Sequence, residues 1–265
     1  MEPGDRERLR ETFTEDAELY DRARPGYPPE LYHDLDRLAG MRAGARVLEI
    51  GCGTGQATVP LARRGCRITA VELGAAMADL ARRNLAEFPS AEVVTAVFEE
   101  WPLPERPFDA VLSATAFHWL DPAVRMEKSA DALRMGGALA TVSTHHIAGG
   151  STDFFTEVQH CHEKFDPSTP PGLRLPSPAC VPVDSDEVDR SPRFGPAVFR
   201  RYEWELSYST TQYLDMLRTY SPNRVLAPEA RTGMLTCIGS LIDHHYGGRV
   251  TKRYLTELRV AYRVR

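Results

Sequence analysis

Two hydrophobic periods alternate along this chain. Short, nearly continuous apolar runs occur at Arg46–Ile50, Arg67–Val71, Glu92–Thr95, Phe108–Ser113 and Ala138–Thr144. Runs of this length, bounded by polar residues and glycine, read as strands buried on both faces. Between them, apolar residues recur at intervals of three and four. The segment Ala75–Phe88 places Met77, Leu80, Ala81, Leu85 and Phe88 on one helix face. Helices are also predicted over Gln56–Arg64, Pro122–Leu133 and Asp153–Phe165, and the glycine pair in Met135-Gly136-Gly137 predicts a turn before the fifth strand. Strands alternating with helices predict an α/β fold with a doubly wound, mostly parallel sheet.

The flanks follow other patterns. Residues 6–20 predict a helix with Phe13, Ala17 and Tyr20 on one side, broken by Arg24-Pro25-Gly26-Tyr27-Pro28-Pro29. Glu30–Ala39 predicts a second helix. Residues 166–196 hold eight of the twenty prolines, which denies that segment a helix interior or a regular ladder. Val198–Tyr208 alternates as a strand, Thr211–Thr219 and Pro228–His245 read as helices, and Arg249–Arg263 closes with another alternating run. The last two strands predict a hairpin at the sheet edge with a helical insertion between them, giving seven strands. The expected division is an N-terminal helical lid (1–40), a core (41–165), a substrate-pocket cap that includes a late strand (166–248) and a last sheet strand (249–265).

Composition narrows the function classes. A net charge of −5 and a pI near 5.9 argue against a nucleic-acid partner, whose footprint would be basic. No apolar stretch approaches bilayer-spanning length, so no membrane partner is expected. The N-terminus, Met1-Glu2-Pro3-Gly4-Asp5-Arg6, is charged where a signal peptide needs apolar residues. The five cysteines (52, 66, 161, 180 and 237) are odd in number and form no Cys-x-x-Cys. They predict a reduced, cytoplasmic protein with neither disulfide frame nor zinc site. Only three of the 32 basic residues are lysine, a bias that suggests a GC-rich bacterial genome.

The chemistry begins at Glu49-Ile50-Gly51-Cys52-Gly53-Thr54-Gly55-Gln56, directly after the first strand. A dinucleotide site needs Gly-x-Gly-x-x-Gly, but Gln56 stands where the third glycine would be. Glycine at alternate positions lets main chain approach a ligand that carries no pyrophosphate. Glu49 can hold an ammonium group. Glu72, ending the second strand, can accept hydrogen bonds from ribose hydroxyls.

This pattern resembles motif I of the class I S-adenosylmethionine-dependent methyltransferases. The likeness extends to Phe98-Glu99-Glu100-Trp101-Pro102, to Phe108-Asp109-Ala110-Val111-Leu112-Ser113 and to Leu133-Arg134-Met135-Gly136-Gly137. Phe117-His118-Trp119, Tyr20…Arg24-Pro25-Gly26-Tyr27-Pro28 and Thr219-Tyr220-Ser221 resemble the narrower trans-aconitate methyltransferase-like, type 11 group. Two positions depart from the pattern: Ala96-Val97 replaces the usual Gly-Asp before the adenine site, and Met135 replaces a proline. The resemblance implies a Rossmann-like fold, S-adenosyl-L-methionine as cofactor and no metal. Its cofactor residues would be Glu49, Gly51, Gly53, Gly55, Gln56, Glu72, Leu73, Phe98, Glu99, Ala114 and Tyr20.

Ligands bind at the carboxyl ends of the strands in such sheets. That rule gathers Ala114–Trp119 and Thr144–His146 around the same crevice. His118, Tyr20, His145 and His146 are the catalytic candidates, His118 first, because imidazole titrates near neutral pH. Arg24, Tyr27, Phe117, His118, Trp119, His146 and Tyr220 are the acceptor-binding candidates; core packing is the competing role for the aromatics. The expected acceptor is a small molecule, with an aromatic or heteroaromatic ring leading, methylated at C, N or O in bacterial specialised metabolism. A small carboxylic acid bound by Arg24 is the rival acceptor. A non-catalytic cofactor-binding domain and a nicotinamide oxidoreductase are the alternatives of other classes. A monomer or homodimer is expected.

Overall fold

The computed structural model describes residues 16–183 and 186–265. The N-terminal part of the expected 6–20 helix therefore lies outside the described residues. Among the described residues, α1 (Ala17–Ala23) begins at an N-cap formed by the Asp16 carboxylate and runs past Tyr20. Helix α2 (Pro29–Ala39) starts with proline at its first position, where a missing N–H costs nothing.

The core is a seven-stranded sheet: β1 (Arg46–Ile50), β2 (Arg67–Glu72), β3 (Ala91–Thr95), β4 (Phe108–Ala114), β5 (Leu133–Ile147), β6 (Val198–Ser209) and β7 (Arg249–Tyr262). Their order is β3-β2-β1-β4-β5-β7-β6. The first five run parallel. β7 is antiparallel to both β5 and β6, so the late strands form the expected hairpin and the sheet is mixed but largely parallel. Alternation along β1 sends Val47 into one apolar layer and Leu48 into the other. The first layer packs under α2, α3 (Thr58–Arg63) and α4 (Ala75–Asn84), and the second under α5 (Arg125–Ala132).

Beyond β5 come α6 (Thr152–Glu157), α7 (Gln159–Phe165) and the short α8 (Asp186–Arg190). Between β6 and β7 lie α9 (Thr210–Arg218), α10 (Ser221–Arg224) and α11 (Pro228–His245). Helix α9 carries a reciprocal capping box between Ser209 and Gln212. These helices enclose a third apolar cluster around Phe154, Tyr213, Met216, Met234 and Ile238.

Five expectations are corrected. Met135-Gly136-Gly137 is not a turn ahead of β5 but lies within it, at a register shift between Phe108 and Ala110. Gly136 N–H donates to Arg263 O, and Arg263 N–H donates to Gly137 O, so β7-side pairing carries the strand through the glycines. Asp153–Phe165 is two helices that meet at Val158. The helix expected to Phe88 stops at Asn84, and the one from Pro122 starts at Arg125. Cys161 and Cys237 form a disulfide across 76 residues, joining α7 to α11 at a Cα separation of 5.8 Å. An odd cysteine count does not exclude one pair brought together only by helix packing, so cysteine usage no longer points to a reducing compartment. No described helix is long and apolar enough to cross a membrane.

Candidate functional site

A cavity of about 670 Å³ opens at the carboxyl ends of β1, β2, β4 and β5. Its first wall is main chain. Gly51 has φ +70°, and a Cβ there would lie 2.6 Å from the Ala116 Cβ. A side chain is excluded by space as well as by backbone conformation. Gly53 has φ +59° and a freer surround, its nearest neighbours being the Gln56 side chain and the Tyr20 ring. The Glu72 carboxylate accepts from Gly53 N–H and Gly74 N–H, both at 2.9 Å. The glycine turn and the tip of β2 are thus held together by one side chain that also lines the cavity.

Leu73, Ala96, Phe98 and Leu120 give this end an apolar slot. Gln56 also lines it, and its Nε2 is buried without a hydrogen-bond partner. A buried donor of that kind awaits an acceptor from a ligand. These features fit S-adenosylmethionine: open main chain, a carboxylate beside the turn, an apolar slot for adenine and a spare amide donor.

The opposite wall is aromatic and basic. The Arg24 guanidinium lies 5.1 Å from the Tyr20 ring centroid and 4.4 Å from that of Tyr220. It donates to Thr219 O at 3.0 Å, while its Nε is buried with no partner. His146 Nε2 lies 3.2 Å from the Tyr220 hydroxyl. Burial, then the charges of Lys252 and Arg24, hold the His146 pKa well below its ordinary value, so the ring is neutral at pH 7. His118 opens on the cavity with its ring tilted against Trp119. Desolvation and the Arg125 charge lower its pKa too. Tyr27 hydrogen-bonds Thr115 at 2.7 Å. Thr115 holds φ +54°, a strained setting for a β-branched residue.

The predicted residues divide. Tyr20, Arg24, Tyr27, Gly51, Gly53, Gln56, Glu72, Leu73, Phe98, Ala114, His118, Trp119, His146 and Tyr220 all line the cavity. Glu49, Gly55, Glu99, Phe117 and His145 do not. Glu49 is buried beneath the turn, where desolvation raises its carboxyl to about 7. Gly55 carries the chain into α3. Glu99 accepts from Asp121 N–H at 3.1 Å. Phe117 is buried in the second apolar layer under Arg125. His145 follows the period of two along β5 away from His146 and sits 3.1 Å from Ser143 Oγ.

Sequence reading placed Thr144 at the crevice but missed several other wall residues, among them Met77, Asn223 and Tyr254. It also missed Lys252, which is buried within 6.0 Å of the Phe155, Tyr213, Tyr220 and Tyr254 ring centroids. Burial and the Arg24 charge push its amine down to about 7. A lysine at one position of an alternating strand gives no sequence signal of this. Among the described residues no His, Cys, Asp and Glu cluster could hold a metal.

Residues 47–137 match the family described as methyltransferase domain. The chain is 42% identical over 123 residues to an uncharacterized methyltransferase of Mycobacterium bovis, covering 46% of this chain and 48% of the relative. It is 27% identical over 128 residues to a malonyl-[acyl-carrier protein] O-methyltransferase of Ilyobacter polytropus, 46% of each chain. The chain spans about half the length of the curated relatives it matches. A solved structure from Anaeromyxobacter dehalogenans, described as a type II methyltransferase, superimposes with a TM-score of 0.65 at 25% identity, covering 91% of this chain and 98% of that one.

Proposed function

Since this chain belongs to the class I S-adenosylmethionine-dependent methyltransferases, we propose that it methylates a small-molecule acceptor held between the glycine turn and His146. One observation carries this reading: a single cavity joins the Gly51–Gly53–Glu72 wall to a wall of neutral histidines and aromatic rings. The bound cofactor supplies a methyl carbon on a positively charged sulfur, open to in-line attack.

Gly51 and Gly53 give room for the amino-acid tail, and Gln56 Nε2 donates to its carboxylate. Glu72, fixed by two main-chain N–H groups, accepts from the ribose hydroxyls. Leu73, Ala96 and Phe98 enclose the adenine, which compensates for Val97 in the place of an aspartate. Within the expected lid and cap, the described residues Tyr20, Arg24 to Tyr27 and Tyr220 to Asn223 border the cavity and exclude water. Alignment of nucleophile, carbon and sulfur can supply roughly 7–11 kcal/mol of the barrier.

The favoured acceptor is aromatic or heteroaromatic, lying against Trp119, Tyr220 and Tyr254. His146, neutral and oriented by the Tyr220 hydroxyl, takes the proton that the acceptor loses as its new bond to carbon forms. His118 orients the acceptor from the other side. His146→Ala is expected to lower turnover about 10²-fold or more, the usual contribution of a positioned base. Adenosylhomocysteine affinity by calorimetry should stay within about twofold of wild type.

A second reading has a specific support. Arg24 Nε, unpartnered beside the cavity, suits a carboxylate acceptor, and one relative is by name an O-methyltransferase. A carboxylate needs no base, so under that reading His146→Ala leaves turnover unchanged and Arg24→Met abolishes it. The test is incubation of the protein and cofactor with phenol, aromatic amine and carboxylic acid panels, read as adenosylhomocysteine release and a product heavier by one methyl group. Binding of adenosylhomocysteine without turnover of any panel would favour a regulatory domain.

A further inference from the structure

The sheet is uneven at the acceptor end. Pairing between β4 and β5 stops at Ala114 with Val142. Pairing between β5 and β7 continues to Ile147 with Arg253. Residues 143–147 therefore have β7 on one side and, on the side β4 would occupy, an edge that β4 does not cover. Two cavities meet at that edge. The first is the chamber already described. The second, about 410 Å³, lies under the proline-rich segment, and Thr144 and His146 line both.

The second cavity has a wall of Pro176, Cys180, Val181 and Pro182 facing His145. Val181 also packs with Ile147 and Leu255 in a small buried apolar cluster, which anchors this wall to β5 and β7. The wall is fixed at both ends. Ala148 N–H donates to Pro176 O at 2.8 Å. Arg201 donates to Val181 O at 2.9 Å while paired with Glu257 at 2.6 Å. Proline has no N–H to offer a strand, so Pro176, Pro178 and Pro182 cannot zip this segment onto the β5 edge. The groove stays open for that reason, and its proline-side wall of Pro176, Val181 and Pro182 is apolar.

We propose that this groove is an acceptor subsite, and that the acceptor is a ring with an apolar chain attached. The ring occupies the chamber beside His146. The chain crosses the edge of β5 past Thr144 and runs between His145 and the Pro176–Pro182 wall to solvent near Cys180. The inference rests on the methyl-acceptor reading of the chamber and adds the class of molecule that fills it. It also gives the prolines a function: they hold a chain-sized gap beside a strand edge that a regular segment would have closed.

Cys180 provides the probe. It is exposed, whereas Cys52 and Cys66 are buried and Cys161 and Cys237 are bonded to each other. With adenosylhomocysteine bound at saturation, 4-alkylphenols from methyl to heptyl are titrated into the whole chain. Affinity should rise about threefold to fourfold for each methylene that enters the groove. Alkylation of Cys180 by N-ethylmaleimide, read by peptide mass spectrometry, should slow in step with heptylphenol occupancy and not with methylphenol occupancy. Cys180→Trp, a change at an exposed position, should remove the gain from chain length.

Affinity independent of chain length overturns the proposal. So does undiminished alkylation under saturating heptylphenol, a chain-length gain that survives Cys180→Trp, or no binding by any member of the series. Failure of adenosylhomocysteine to bind would instead strike the function reading, and it is measured separately in the same titration.

Discussion

The two ends of the cavity are made of different material. The cofactor end is main chain: Gly51, Gly53 and the N–H groups that grip Glu72. The acceptor end is side chain: Tyr20, Arg24, His146, Tyr220 and Tyr254, drawn from α1 and its flank, β5, the loop before α10 and β7. A main-chain wall must leave out side chains, so it imprints glycine on consecutive alternate positions. A side-chain wall is assembled from residues more than two hundred positions apart, and each fits its own element's pattern without comment.

Substitutions can break this contrast, and the largest effect is expected at Gly51. Gly51→Val must overcome both positive φ and the Ala116 contact, each costing about 1–3 kcal/mol. Adenosylhomocysteine affinity should fall at least about tenfold to a hundredfold in calorimetry, with the acceptor wall unchanged. Glu72→Ala removes the partner of two N–H groups and should weaken the same affinity about tenfold or more. An acceptor-wall change such as Tyr220→Phe should leave that affinity alone. Equal losses at both walls would show that the two ends are not separable.

Next in size is the disulfide. Reducing Cys161–Cys237 should lower unfolding free energy by about 2–5 kcal/mol, with the loss in the helices around the third apolar cluster. Hydrogen exchange under reducing conditions should show α7 and α11 loosened while β1–β4 keep their protection. Uniform loosening would contradict that localisation.

Lys252 sharpens the comparison from the other side. Its amine is pushed down to about 7 by burial and by Arg24, with four ring faces offsetting part of that cost. The unfolded chain takes up this proton below about pH 10.4 and the native chain only below about 7. Between those values the unfolded state binds more protons, so native stability falls as pH drops from about 10 to 7 and then levels off. Lys252→Met should flatten that slope and raise stability at pH 7 by about 1–4 kcal/mol. An unchanged slope in urea melts across this range would mean that the amine titrates normally.

Most of the fold was legible, because buried parallel strands and amphipathic helices write their period directly into the chain. The boundary errors have local causes. Gly136-Gly137 reads as a turn, yet hydrogen bonds with Arg263 keep it in β5. Val158 satisfies the helical pattern and has helical dihedrals, yet it ends one helix and begins the next. At the site, the glycines and Glu72 were visible for the reason given above. His145 and His146 were indistinguishable until the strand register set them on opposite faces. The Cys161–Cys237 pair and the Lys252 cage depend on packing between α7, α11 and β7, for which neighbouring sequence holds no mark.

Arg24 lies clasped between Tyr20, from the first helix, and Tyr220, from the insertion beyond β6. One planar cation thereby bolts together two coverings that are about two hundred residues apart. Peeling back either would strip the other of its anchor. Opening the roof over the chamber then moves both coverings together, whereas the groove beside β5 leaves that clasp in place.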